Sequence, residues 1–175
     1  KHRASKPFAV MLRDLDAIRS ICTVSDAAAR ALRGADAPIV LLPRREATPT
    51  ALRDNAHADD TTPTTASAVA PGMHTLGCML PSTPLHHLLL AGDMPPLVMT
   101  SGNRSDEPIA IAPAEADARL GDIADLTLHH DREILQRCDD SVPRELGGTV
   151  RILRRARGHV PRPIALATDG APVFA

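Results

Sequence analysis

Residues 95–109 read Pro95-Pro96-Leu97-Val98-Met99-Thr100-Ser101-Gly102-Asn103-Arg104-Ser105-Asp106-Glu107-Pro108-Ile109. A short apolar run, Leu97-Val98-Met99, stands between a proline pair and a polar segment. That is the pattern of a buried strand ending in a loop. The loop sets Thr100, Ser101, Asn103 and Ser105 around Gly102. Hydroxyls, a side-chain amide and backbone N–H groups at the carboxyl end of a strand suit phosphate or carboxylate. The same residue types also build an ordinary polar turn.

Outward from this stretch, strand and helix patterns alternate. Pro7-Phe8-Ala9-Val10-Met11 reads as a strand, and so do residues 38–43 and 75–80. Leu15, Ile18, Ile21 and Cys22 recur at helical spacing over residues 14–23. Ser25-Asp26 is an N-cap signal for a helix over 27–33, ended by Gly34. Thr83-Pro84 opens a helix over 85–91 with Gly92 just past its end, and Ala112-Pro113 opens another that closes near Gly121. Residues 141–145 and 149–155, joined by Gly147-Gly148, read as a hairpin. Strands alternating with helices predict an α/β domain, and the closing hairpin makes its sheet mixed. Residues 44–69, rich in Thr, Ala, Asp and Pro, read as a mobile surface insertion. The basic opening lacks both an initiator Met and a preceding element, so we expect a fragment whose amino-terminal part is missing.

Composition narrows the function. The chain has 175 residues, 43% hydrophobic and 23% charged, with net charge −1. No global field recruits nucleic acid or an anionic membrane, and no apolar run is long enough to span a bilayer. No secretory signal pattern is present. The three cysteines, Cys22, Cys78 and Cys138, are scattered and fit free thiols in a reducing cytoplasm. Trp and Tyr are absent and Phe occurs only at positions 8 and 174, which leaves little with which to stack single-stranded bases. Of the 20 basic residues, all but Lys1 and Lys6 are arginine. Lys offers a compact point charge where Arg offers a planar fork.

Four clusters hold chemistry. Lys1 and Arg3 fall on one face of an extended segment, where two cations need an anion between them or solvent around them. The Ser101/Asn103 loop is the second cluster. The third is Arg137-Cys138-Asp139-Asp140-Ser141, whose adjacent carboxylates are ligand types for magnesium and equally suit a turn before the next strand. The fourth, Arg151, Arg154, Arg155, Arg157 and Arg162, suits polyphosphate or a nucleic-acid backbone. The pairs His86-His87 and His129-His130 are adjacent in sequence and poorly placed to chelate one ion. No cysteine pair has zinc spacing, and no Walker loop or dinucleotide fingerprint occurs.

Together the blocks 1–11, 69–72, 77–89, 97–109, 130–132, 137–142 and 154–161 resemble the YrdC-like domains of the HypF carbamoyltransferase family. The Leu85-His86-His87-Leu88-Leu89 and Arg154-Arg155-Ala156-Arg157-Gly158 blocks look like HypF rather than the free-standing threonylcarbamoyl-adenylate synthases of that superfamily. The resemblance implies a twisted, mixed or antiparallel sheet with a concave nucleotide-binding face, flanking helices, and the opening strands missing. It implies a domain over 1–165, with 166–175 starting a linker. It carries a Lys-x-Arg and Ser-x-Asn tetrad onto Lys1, Arg3, Ser101 and Asn103, with Lys1 and Arg3 catalytic. Thr100, Ser141, Arg155 and Arg157 join the nucleotide site, sequence leaving open which arginine meets phosphate. Magnesium falls to Asp139 or Asp140, and zinc only to a region upstream of this chain.

The implied reaction joins carbamate, derived from carbamoyl phosphate, to ATP, giving carbamoyl adenylate and pyrophosphate. The carbamoyl group then passes to a HypE-type acceptor during nickel–iron hydrogenase maturation, in the cytoplasm. The alternatives are a double-stranded RNA-binding module and a threonylcarbamoyl-adenylate synthase-like protein of tRNA modification. The chain departs from the family pattern at Ser82 and His159, where Tyr is expected, at Glu133, where Pro is expected, and in its long insertion.

Overall fold

The inner strands are apolar on both sides, but the two sides meet different neighbours. In the computed structural model, which describes residues 7–45 and 67–164, the chain runs β1 (Ala9–Met11), α1 (Leu15–Ile21), α2 (Asp26–Leu32), β2 (Val40–Pro43), β3 (Thr75–Met79), α3 (Pro84–Leu89), β4 (Leu97–Met99), α4 (Pro113–Leu120), β5 (Val142–Leu146) and β6 (Thr149–Arg154). A short 3-10 turn occupies Ser67–Val69. The strands form one sheet in the order β4-β1-β3-β2-β5-β6. β1 runs parallel to β3 and β2 parallel to β5; the other neighbours are antiparallel. The mixed α/β sheet expected from the closing hairpin is therefore present.

Side chains alternate across the sheet with period two. Val10, Val40, Leu42, Leu76 and Cys78 point to one side and are buried against Leu15 and Ile18 of α1 and Ala28, Ala29 and Leu32 of α2. Met11 and Met79 point to the other side and meet Leu90 just beyond α3, with Ala9, Ile39, Leu97 and Met99 packed around them. Cys22 and Cys78 lie in the first layer with their sulfurs 3.8 Å apart. Contact with Cys22 and burial together hold the Cys78 thiol protonated. All three cysteines are free thiols.

The helix starts follow their capping residues. Ala17 N–H donates to Asp14 Oδ1 at 2.8 Å, Ala28 N–H to Ser25 Oγ at 3.1 Å, and His86 N–H to Thr83 Oγ1 at 3.2 Å. The hairpin turn is set by Gly147 and Gly148, with φ of 59° and 78°. Two successive positive φ values match the twist of paired strands and suit glycine.

One expectation is corrected. The apolar run 97–99 is not a buried strand: β4 is the sheet's edge, and Val98 is 53% exposed. α1 and α2 sit beneath the middle of the sheet and leave this edge uncovered. Lys1, Arg3, most of the 44–69 insertion and the 166–175 linker lie outside the described residues. Among those described, no helix is long and apolar enough to cross a membrane.

This layering predicts unequal costs for two leucines. Leu76, 1% exposed in the central strand β3, should lose about 2–5 kcal/mol of stability on replacement by Ala. Leu126, 88% exposed, should change stability by less than about 0.5 kcal/mol. Urea unfolding followed by circular dichroism measures both, and equal losses would contradict this core.

Candidate functional site

α3 covers only part of the sheet face that α1 and α2 leave free. The rest is a hollow of about 480 Å³. Gly77, on the central strand, forms its floor. A Cβ there would stand 2.9 Å from Ile39 Cγ2 and 3.6 Å from Leu41 Cδ2, so any side chain would fill the floor. Ala9, Met79 and Met99 extend this apolar surface, and Pro7 and Phe8 line its approach.

The polar groups come from loops at the rim. Thr100 and Ser101 follow β4 and line the hollow. Ser101 Oγ donates to Asn103 Oδ1 at 2.5 Å, and Asn103 Nδ2 donates to the Glu107 carbonyl at 2.6 Å. Asn103 thus stands behind Ser101 rather than on the lining itself. Asp139, Asp140, Arg154 and Arg157 form the facing wall, and His86 enters from α3.

Ser141 decides where the arginines go. It is fully buried, and its hydroxyl donates to the Arg157 carbonyl at 2.8 Å while accepting from Ala156 N–H at 2.9 Å. Its own carbonyl accepts from Ile39 N–H at 2.9 Å. Ser141, expected at the nucleotide, stands just behind the lining residues Asp140 and Val142, and its hydroxyl bonds the backbone that carries Arg157.

Arg157 Nη2 donates to Asp140 Oδ1 at 2.6 Å and to the Ala37 carbonyl at 2.8 Å. Among the described residues its Nε is a buried donor with no acceptor. The following turn closes on Asp36, which touches His159 at 3.3 Å. Gly158, at φ 82°, permits that approach, since a Cβ would collide with the Asp36 carboxylate.

Arg154 Nε donates to the Asp140 carbonyl at 2.8 Å, and its Nη1 is 4.0 Å from Asp139. Arg155 turns away, donating to the Arg162 carbonyl at 2.6 Å, and does not line the hollow. Of Arg155 and Arg157, both candidates from sequence, Arg157 lines the hollow. Sequence reasoning missed Gly77 and His86 as lining residues, while Arg154 belongs to the arginine cluster it singled out for polyphosphate. In sequence His86 stands only as a poor chelator and as part of the Leu85–Leu89 family block; its place on a capped helix, one strand before the polar loop, is the available signal.

A salt-bridge network holds the polar loop from behind. Arg119 donates to Glu107 Oε2 at 2.7 Å, to the Pro108 carbonyl at 2.7 Å and to Glu115 Oε1 at 2.5 Å. Arg104 pairs with Asp122. The Ile111 amide and then Arg119 hold the Glu115 carboxyl below its ordinary range, and Arg104 does the same for Asp122.

A second cavity, of about 520 Å³, lies between α4 and residues 127–134. None of the expected site residues lines it. At its rim His129 Nε2 sits 2.9 Å from Asp117. Among the described residues no group of three or more His, Cys, Asp or Glu could hold a metal ion. The magnesium expectation is left with Asp139, which is the freer carboxylate, and Asp140, which is committed to Arg157.

Two outcomes follow. Ser141→Ala should cost about 1–3 kcal/mol, because it strands the partly buried Arg157 carbonyl and Ala156 amide. Urea unfolding reads the loss, and an unchanged midpoint would deny Ser141 its scaffolding part. The Glu115 and Asp122 carboxyls are depressed in the folded state, so their contribution is present above the ordinary carboxylate range. It should disappear as pH falls through their lowered values. Hydrogen-exchange protection of residues 100–122 should then fall at acid pH before that of the β3 core does; simultaneous loss would count against the clasp.

The chain has relatives across its length. The family model for Sua5, YciO and YrdC proteins, described as "Telomere recombination", matches residues 1–156. The carbamoyltransferase HypF of Rhodobacter capsulatus is 48% identical over 166 residues, covering 95% of this chain and 20% of that protein. A crystal structure of full-length HypF in the phosphate- and nucleotide-bound form superposes with a TM-score of 0.81 at 42% identity, over 94% of this chain and 24% of that one. Escherichia coli YciO shares the fold, with a TM-score of 0.64 at 21% identity, over 91% of this chain and 70% of YciO. The chain thus spans about a fifth of the length of the HypF relative it matches. It belongs to the Sua5/YciO/YrdC family and is homologous, over nearly its whole length, to the YrdC-like part of HypF carbamoyltransferases.

Proposed function

We propose that this domain forms carbamoyl adenylate from carbamate and ATP, releasing pyrophosphate, as one step of HypF-type carbamoyl transfer. The observation that carries this reading is the convergence of Arg154, Arg157, Thr100 and Ser101 over a side-chain-free floor at Gly77. Backbone exposed at a glycine lets a ligand approach closely. Arg157 brings a buried N–H still without an acceptor among the described residues, which suits a phosphate oxygen. The nucleotide-bound HypF structure supports the same ligand class.

A carbamate oxygen attacks the α-phosphorus of ATP, and pyrophosphate leaves. Carbamate is already anionic, so no general base is needed. The site must align the reactants and neutralise charge on the phosphate oxygens. Arg157 and Arg154 hold the phosphate chain. Ser101, steadied by Asn103, together with Thr100 binds the adenylate phosphate.

Lys1 and Arg3 provide further cations for phosphate and carbamate. Three residues lie between Arg3 and Pro7 at the hollow's approach, and four peptide steps can span at most about 14 Å. Magnesium, if bound, would be held by Asp139 or Asp140 and would help to neutralise charge on the phosphate oxygens, in keeping with the one or two carboxylates that ion uses. The apolar floor limits hydrolysis of the mixed anhydride. A HypE-type protein, reached through the rest of the parent polypeptide, accepts the carbamoyl group. Arg154, Arg155 and Arg157 each donate within the domain, which leaves Arg151 and Arg162 as the less engaged members of the cluster for duplex RNA.

Carbamoyl-phosphate-dependent exchange of pyrophosphate into ATP, in the full-length polypeptide, tests this. Wild type should exchange, and Lys1→Ala should abolish exchange. Arg157→Ala should lower kcat/KM for ATP by about a hundredfold, as for a charge-assisted contact of about 2–3 kcal/mol. Wild-type protein that binds duplex RNA at physiological salt but shows no exchange would overturn the proposal.

A further inference from the structure

We propose that His86 donates its Nε2–H to a phosphate oxygen of the bound nucleotide, beside Arg157. This rests on the nucleotide reading above and adds a residue to it. The ring lines the hollow, while its Nδ1 faces Ser82, 3.4 Å from the amide nitrogen and 3.5 Å from Oγ. An amide N–H can only donate, so Nδ1 is the acceptor, and a neutral imidazole in that state carries its proton on Nε2. Among the described residues Nε2 makes no hydrogen bond of its own.

The backbone of the same residue is pinned by the Thr83 cap at 3.2 Å. Ring and main chain are thus both held before any ligand arrives, the condition for a preorganised contact. Burial opposes a second proton most, then the charged neighbours Arg157 and His87, while Asp140 favours one. The balance holds His86 below its ordinary pKa. The site therefore presents a neutral, directional donor between the Arg157–Asp140 pair and the α3 surface. The role also accounts for the Ser82–His86 pairing, which orients a ring that chelates nothing.

Three variants of the full-length polypeptide test the role in the carbamoyl-phosphate-dependent exchange assay, with ATP as the varied ligand. His86→Ala should lower kcat/KM for ATP about tenfold, chiefly through KM, as for one hydrogen bond to a charged oxygen. His86→Gln, whose amide nitrogen reaches the place of Nε2, should recover most of it. His86→Asn, whose amide falls at the place of Nδ1, should stay as low as Ala. Melting curves by circular dichroism establish that each variant is folded. Wild-type rates in His86→Ala, or equal recovery by Asn and Gln, would remove His86 while leaving the nucleotide reading intact. Absence of exchange in the wild type would remove both.

Discussion

A single buried hydroxyl organises the open side of this sheet. Ser141 sits where β5 begins, with no access to water, so its hydroxyl must find partners inside the protein. It finds the amide of Ala156 and the carbonyl of Arg157. That pair of bonds returns the chain, after the β5–β6 hairpin, to the mouth of the hollow. The Ser141 carbonyl binds Ile39 on the way, so the same residue ties the hairpin to the loop before β2. Arg157 then reaches Asp140 and the Ala37 carbonyl from a backbone that is already fixed.

The unlike faces of the sheet supply the rest of the site. Beneath, α1 and α2 bury a continuous apolar layer, and that layer carries the stability. Above, a smaller cluster around Met11, Met79 and Leu90 anchors α3 and stops short of Gly77. The hollow exists because helices cover one face fully and the other in part, and because the central strand has no side chain where they stop. A rigid floor costs nothing further to order when a ligand binds.

The walls of the hollow are charged but largely neutralised in pairs. Arg157 is matched by Asp140, and the loop behind Ser101 by the Arg119–Glu107–Glu115 and Arg104–Asp122 pairs. Most of these pairs are exposed, where each contributes little to stability. Their effect is positional: Glu107 is held by Arg119, its carbonyl holds Asn103, and Asn103 holds Ser101. A chain of short bonds thus runs from α4 to the rim of the site.

By itself the sequence determined the elements and the family. The caps at Ser25 and Thr83, the apolar spacing of α1 and the Gly147-Gly148 turn are local features, set by residues within a few positions of one another, and all appear in the structure. The ordered blocks that resemble HypF are likewise a property of the chain alone. Burial and side-chain direction are not local. That β4 lies at an edge, that Ser141 supports the site from within, that Arg154 and Arg157 line the hollow while Arg155 does not, and that His86 lines it at all, depend on which distant segments pack together. Adjacent arginines have equal chemistry in a sequence. Only the fixed path of the backbone after Ser141 separates the one that faces the hollow from the one that turns away.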